Sequence, residues 1–361
     1  MILRLLLIFV TSYHCAWAAD GYEMRRLYRS FRTTAMGNAY LATVTDEDAI
    51  FLNPAGLAGV DSLQLHYLPS DTEISTDLVG EALKGTSALS GFNASTVNSL
   101  LMGKNHYGRE QIAPSLISKN MGIAFLLDGQ AAIRARNQAL PNILVGYQTT
   151  MGVQGGIGFS LLKPGRGRKT NLGDLRVGIS AKMMYRRGTY RYLSMNELLN
   201  IGMDTLHAIA GNYQVGYGLD FGTQYIRRFG KNLVLSAGLA FTDVGDTYFG
   251  GSVAPVRNNL GFGFAATYYT ARQVKLTFAY DYQNILDNTD WRKRNHVGLA
   301  IGLPLFDLYG GINQTYLTYG ASFDIFVFKL SALSYAEEQG AFSFQDGERR
   351  WALRLDLKLG L

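Results

Sequence analysis

Trp351-Ala352-Leu353-Arg354-Leu355-Asp356-Leu357-Lys358-Leu359-Gly360-Leu361 is the stretch that decides the fold. Trp351, Leu353, Leu355, Leu357, Leu359 and Leu361 share one parity, and Ala352, Arg354, Asp356, Lys358 and Gly360 share the other. Side chains of an extended strand alternate between two faces. One face here is apolar and the other is small or charged. A soluble sandwich also alternates, with its apolar face inward. Runs of about ten residues repeated strand after strand favour instead a barrel with lipid outside and water inside.

The same period recurs upstream. Tyr213, Val215, Tyr217, Leu219 and Phe221 alternate with Gln214, Gly216, Gly218, Asp220 and Gly222. Leu175 to Tyr185 alternates with Arg176, Gly178, Ser180, Lys182 and Arg186, and Val274 to Tyr282 with Lys275, Thr277, Ala279, Asp281 and Gln283. Leu233, Leu235, Ala237, Leu239 and Phe241 follow suit. About fifteen such runs lie between Asp61 and Leu361, and bacterial single-chain barrels have even strand counts. Long connections after Tyr192, Asp281 and Ala336 place the misread run between Gln111 and Tyr185. The expected fold is therefore all-β, a transmembrane antiparallel barrel of about fourteen strands.

Composition agrees. A soluble chain of 361 residues would form two or three domains. Here only 17% of residues are charged, and Gly (41) and Tyr (22) are abundant. The start of the chain reads as a secretory signal. Arg4 is its positive region, Leu5 to Val10 its short apolar core, and Ala16-Trp17-Ala18 its small-x-small cleavage site. Export to the bacterial outer membrane follows. Cys15, the single cysteine, leaves with the signal, so the mature chain has no disulfide and no thiol chemistry. The net charge of +6 is scattered, which excludes a nucleic-acid groove.

Two connections read as helical. Ser194 and Glu197 form a capping box, with Leu193 and Leu198 as its staple, and Leu199, Met203, Leu206 and Ala210 follow at helical spacing. Thr76 to Leu89 is a weaker case. These short loop helices either pack as loops or lie at the membrane surface.

Residues from Tyr22 to Gly59 do not alternate. They contain Arg32-Thr33-Thr34-Ala35-Met36-Gly37-Asn38-Ala39-Tyr40 and Thr45-Asp46-Glu47-Asp48-Ala49-Ile50-Phe51-Leu52-Asn53-Pro54-Ala55-Gly56-Leu57-Ala58-Gly59. Asn53 suits an N-cap and Pro54 the first helical position. Gly59 suits a left-handed C-cap. Gly37 permits a tight bend or a close backbone approach. A compact segment ahead of a barrel can fill its lumen.

This segment resembles the hatch of the FadL/OmpP1/TodX superfamily, whose Asn-Pro-Ala matches Asn53-Pro54-Ala55. It is most similar to the PorV-like and uncharacterised branches. Asp243-Val244-Gly245, the strand ending at Asp281, His296-Val297-Gly298-Leu299 and Gly310-Gly311-Ile312-Asn313-Gln314 extend the resemblance. It implies a signal peptide (1–18), a hatch (19–60) and a barrel (61–361). The hatch residues would be Gly37, Asn38, Asp46, Asp48, Asn53, Pro54, Ala55 and Gly56. It also implies passage of hydrophobic, fatty-acid-like molecules past the hatch, with a side exit at a kinked strand. In PorV-like members the barrel instead assists protein secretion or surface assembly. A plain porin channel is a third reading.

No catalytic, cofactor or metal site is expected. Asp46, Glu47 and Asp48 lack the ligand spacing of a calcium loop, and hydrogen bonding inside the plug is the expected role. His66, His106, His207 and His296 fall at no metal or catalytic spacing. Gly155-Gly156-Ile157-Gly158 lies in an alternating run and opens no helix, so it packs a barrel wall. Lys182, Asp220, Arg176, Arg354, Asp356 and Lys358 fall on inward parities. Charges of both signs there are expected to pair across a filled lumen. The expected partners are membrane lipid around the wall, a hydrophobic small molecule inside it, and in the PorV-like reading a secreted protein.

Overall fold

The computed structural model describes residues 26–83, 101–136, 142–162, 173–194, 196–197, 200, 202–251, 253–270, 274–325 and 327–360. The signal reading falls outside them. Fourteen antiparallel wall strands follow in chain order. β1 (Gln64–His66 and Ser70–Ser75), β2 (Asn105–Ile112 and Ser115–Ser118) and β5 (Asp174–Arg187 and Tyr190–Ser194) are each in two pieces. The others are β3 (Met121–Arg136), β4 (Asn142–Leu162), β6 (Gln214–Phe229), β7 (Leu233–Thr242) and β8 (Asn259–Tyr269). β9 (Lys275–Tyr282), β10 (Asn295–Gly302), β11 (Phe306–Asn313), β12 (Tyr316–Ile325), β13 (Phe328–Glu338) and β14 (Gly347–Gly360) complete the wall. β14 pairs with both pieces of β1, which closes the barrel.

The alternation is realised as read. Tyr217, Leu219 and Phe221 are exposed on the outside while Asp220 is fully buried within. Trp351, Leu353 and Leu359 face out, and Ala352, Arg354 and Asp356 are buried. Phe264, Phe278 and Leu299 extend the outer apolar belt. Apolar side chains outside and satisfied polar groups inside are the arrangement a bilayer demands of a spanning barrel. No described helix is long and apolar enough to cross a membrane.

The region between Gln111 and Tyr185 explains the surplus run. β3 has 16 residues and β4 has 21. A 21-residue strand tilted by about 40° rises roughly 50 Å, twice the ~25 Å apolar band, so it reads as more than one run. β9, β10 and β11 have only 8 residues each. One side of the barrel is therefore tall and the other low. At the low side β11 and β12 join through Gln314 and Thr315, both at positive φ. The strands meet through short turns at one end and mostly longer connections at the other.

The tall wall carries its own cover. Ala135, Ile143 and Leu193 are register neighbours on the outward face of β3, β4 and β5, yet all are buried. Helix α1 (Met203–Ala210) supplies Ile209 to this cluster. The capping box forms: Glu197 Oε2 accepts Ser194 N–H at 2.8 Å, and Glu197 N–H donates to Ser194 Oγ at 3.3 Å. The Ser194 N–H holds the Glu197 carboxyl below the usual range. The second expected helix forms over Thr76–Leu83, and its continuation to Leu89 lies outside the described residues.

The strands are interrupted beside two prolines. Gln64 pairs Gly360 and Ser70 pairs Leu355, so three residues of β1 (67–69) oppose two of β14. The count against β2 is the same, three against two. This bulge turns both Tyr67 and Leu68 to the outside. Proline cannot donate to a ladder. Pro69 and Pro114 sit at adjacent breaks in neighbouring strands, where Pro69 O accepts Ala113 N–H at 3.2 Å.

Candidate functional site

Residues 26–60 lie inside the barrel and touch its wall nearly all the way round. They fold as helices Phe31–Ala35 and Ala49–Leu52, then a 3₁₀ turn, Pro54–Gly59. Asn53 caps that turn as expected, its Oδ1 accepting Ala55 N–H at 3.2 Å, with Pro54 at the first position. The left-handed cap at Gly59 does not form. Gly59 stays within the turn, and Val60 at φ −78° follows it. Its missing side chain serves space instead, because a Cβ there would collide with the Arg176 guanidinium.

The wall grips this segment through backbone groups. Asp281 accepts the N–H groups of Tyr40 (2.8 Å) and Leu41 (3.0 Å). Gln283 donates to Asn38 O at 2.7 Å, and Asn38 Nδ2 donates to Asn313 Oδ1 at 2.9 Å. His296 Nδ1–H donates to Gly37 O at 2.9 Å. Asn53 Nδ2 donates to Thr223 O of the wall at 3.3 Å as well as to Leu41 O within the segment, and Gln224 donates to Val44 O at 2.9 Å. Gln154 donates to Ile50 O at 2.8 Å. Side chains of the wall thus satisfy the irregular backbone that water would otherwise solvate.

Glycines form the seats. A Cβ on Gly178 would strike Pro54, one on Gly222 would strike Asn53, and one on Gly238 would strike Leu41 O. On the far side, Gly298 and Gly311 leave only 2.5–2.6 Å for a Cβ against Met36 and Gly37. Gly37 and Asn38 both take φ near +64°, which bends the chain where it meets β10 and β11. Gly56 packs on Val44 O and the Ala49 methyl.

Ion pairs complete the attachment. Arg29 donates to Glu73 (2.8 Å) and Glu337 (2.6 Å), and to the Tyr335 hydroxyl. Arg109 and Arg350 continue the network to Asp128 and Glu348. The acidic run behaves as a hydrogen-bonding group. Asp46 pairs Arg32 at 2.8 Å. Asp48 accepts from Tyr28 Oη at 2.6 Å and from Ser30 Oγ. Burial, then the charges of Asp46 and Glu47, push the Asp48 carboxyl up to about 7. Glu47, His66 and Asp356 bring possible ligand atoms within 4.8 Å of one another. Arg354 already lies 3.1 Å from Glu47 and 3.5 Å from Asp356, so the cluster has its positive charge.

The inward charges are paired. Lys182 meets Asp220 and Asp243 at 2.8 Å, Arg176 meets Asp174 at 2.7 Å, and Lys358 meets Asp324 at 2.5 Å. Asp243 belongs to a connection the sequence reading noted only for its resemblance. Residues 243–251 and 253–258 fold back into the lumen, where Thr247, Phe249 and Val256 are buried. Phe249 lies under the Arg186 guanidinium, 4.7 Å from ring centre. Its available signal was the run of Asp and Gly, residue types that tolerate the positive φ taken by Asp243, Gly245, Asp246, Gly250 and Gly251.

Cavities flank the segment on both sides. At the short-turn end a space of about 310 Å³ is lined by Arg32, Asp46, Glu47, His66, Arg354 and Lys358, among others. Towards the long connections a smaller one, about 80 Å³, is lined by Tyr28, Tyr40, Phe51, Leu52, Lys182 and Val256, among others. An apolar cluster runs between segment and wall. Ile50, Leu52 and Leu57 join Ala113, Ile117, Ala124 and Leu126 of β2 and β3. It ends beside Pro114.

These features define a transmembrane barrel whose lumen is occupied by its own N-terminal segment. No protein-family model and no curated protein matches the chain. Among solved structures, the Pseudomonas putida toluene transporter TodX is similar over 94% of this chain and 99% of its own, at 10% identity and a TM-score of 0.47. The Ralstonia pickettii toluene transporter TbuX matches over 91% and 97%, at 11% identity and a TM-score of 0.42. The CymD monoaromatic hydrocarbon channel matches over 91% and 97%, at 9% identity and a TM-score of 0.42.

Proposed function

We propose that this chain is a bacterial outer-membrane barrel that passes hydrophobic small molecules, with residues 26–60 as its hatch and residues 1–18 as its export signal. The observation that carries the reading is the apolar cluster between hatch and wall. It leads from Ile50 and Leu57 to Ala113, beside the paired strand breaks at Pro69 and Pro114. Apolar cargo moving along it exchanges one buried surface for another. Water-borne solutes would have to part the paired charges of the lumen, which is costly. The breaks are where we place a side exit into the membrane. Short turns lie at the periplasmic end of such barrels and longer loops outside, so cargo enters from the end carrying residues 243–258.

The test is uptake. A strain lacking the protein is expected to take up long-chain fatty acids and monoaromatic compounds more slowly than its parent. Equal rates for every apolar compound tried would overturn the reading.

A second reading, an accessory barrel for protein secretion, is supported by one observation. Trp291, Phe342 and Phe344 are each about two-thirds exposed at the long-connection end. Asp290 and Ser343 join their loops at 3.1 Å. Stable co-purification of a secreted protein, lost on replacing these aromatics, would favour it. Steady ohmic conductance in a planar bilayer would favour a plain channel instead.

A further inference from the structure

Arg187 faces outward from β5. It shares a parity with the exposed Met183 and Tyr185 and stands opposite Thr149 of β4. Its guanidinium lies over two outward rings, 4.6 Å from the centre of Tyr213 and 5.9 Å from that of Tyr147. The only hydrogen bond it makes to described residues is a long one, Nη2 to Tyr147 Oη at 3.5 Å. Its Nε is buried without a partner, and it has no ion pair among the described residues. Thr149 Oγ1 donates to Tyr147 Oη at 2.6 Å, which fixes the ring. A cation is thus held on the wall's outer face with donors to spare.

Its depth is set by the neighbouring strand. The outward column of β6 runs Tyr213, Val215, Tyr217, Leu219, Phe221, Thr223, Tyr225 and Arg227. Arg227 stacks on Phe229 at 4.9 Å at the far rim. Fourteen residues of a strand tilted by about 40° rise roughly 35 Å, and the apolar band of such barrels is about 25 Å. The two arginines therefore stand roughly 5 Å beyond either edge, at headgroup depth. Above Arg187, the Thr189 N–H donates to Ile209 O of α1, so the helix roofs the site.

We infer that Arg187, Tyr147 and Tyr213 form a docking site for a membrane lipid whose headgroup carries a phosphate. A guanidinium presents a fork of donors that fits phosphate oxygens. The two rings pre-orient it and take the adjoining acyl region, and tyrosine suits that boundary. The membrane itself supplies the occupant, because this face of β4, β5 and β6 is the lipid-facing wall.

Native mass spectrometry of the detergent-purified barrel, titrated with phosphatidic acid, diacylglycerol and inorganic phosphate, tests the site. Wild-type protein is expected to retain phosphatidic acid, and Arg187→Gln to retain it at least tenfold more weakly. Diacylglycerol is expected to bind the two alike, and equimolar inorganic phosphate is expected not to displace the lipid. Tyr213→Leu keeps the charge and is expected to weaken retention several-fold, which serves should Arg187→Gln fail to assemble. Retention unchanged in both variants overturns the site. Displacement by inorganic phosphate overturns the lipid as its occupant.

Discussion

Arg29 and Glu73 form a buried ion pair, Nη1 to Oε2 at 2.8 Å, that ties the N-terminal segment to the first wall strand. Removing one partner of such a pair strands the other charge and costs about 3–5 kcal/mol. Arg29→Met should therefore loosen the segment and lower the thermal midpoint in detergent. Adding Glu337→Gln to Arg29→Met, which removes a carboxylate left with Arg350 alone at 3.2 Å, should recover part of the loss. An unchanged midpoint in Arg29→Met would show that the pair does not hold the segment.

The glycine seats give a second prediction. Gly178→Val places methyl groups into the Pro54 backbone. Overpacking of this kind costs about 1–3 kcal/mol, and vesicles carrying the variant should admit small sugars faster. Gly310→Ala is the control, because nothing lies within 4 Å of a Cβ there. It should leave stability within about 0.5 kcal/mol of the parent. Equal permeability of Gly178→Val and Gly310→Ala would refute the seating role.

Asp48 gives a pH dependence. Its carboxyl is pushed up to about 7 in the folded chain, against an ordinary 3.8. A raised carboxyl contributes stability that is complete below the ordinary value and is lost as pH rises through the folded one. Seating of the segment should weaken between about pH 4 and pH 7, and Asp48→Asn should flatten that slope. Thermal midpoints of both proteins across this range decide it. A parallel pair of curves removes Asp48 as the cause.

Pro54→Gly should loosen the turn after Asn53 by roughly 0.4–1 kcal/mol through unfolded-state entropy. In the hatch reading, solute leakage rises and apolar uptake changes. Wild-type values for both would leave the turn without a gating role.

Much of the wall was readable in advance, because a two-residue period survives wherever one face meets lipid. Leu219 and Asp220 fall on their expected sides, and Lys182 finds the expected opposite charge. Asn53-Pro54 announced its own turn. What escaped notice has physical reasons. The breaks at Pro69 and Pro114 need the register between strands, which one strand's pattern does not carry. Residues 243–251 and 253–258 fold inward, where Asp243 reaches Lys182 two strands away, a contact between segments about sixty residues apart. Gly178 and Gly222 read only as small inward positions, yet they are empty so that Pro54 and Asn53 can fill the space. Gly59 was misjudged for the same reason: its neighbour is Arg176, far along the chain.

Arg29 meets Glu337 across 308 positions. A segment early in the sequence is thus fastened to one of the last strands of the wall. Leu27, Phe31, Ile50 and Leu57 are buried only where the cylinder stands around them, so filling of the lumen and closure of the wall are one event.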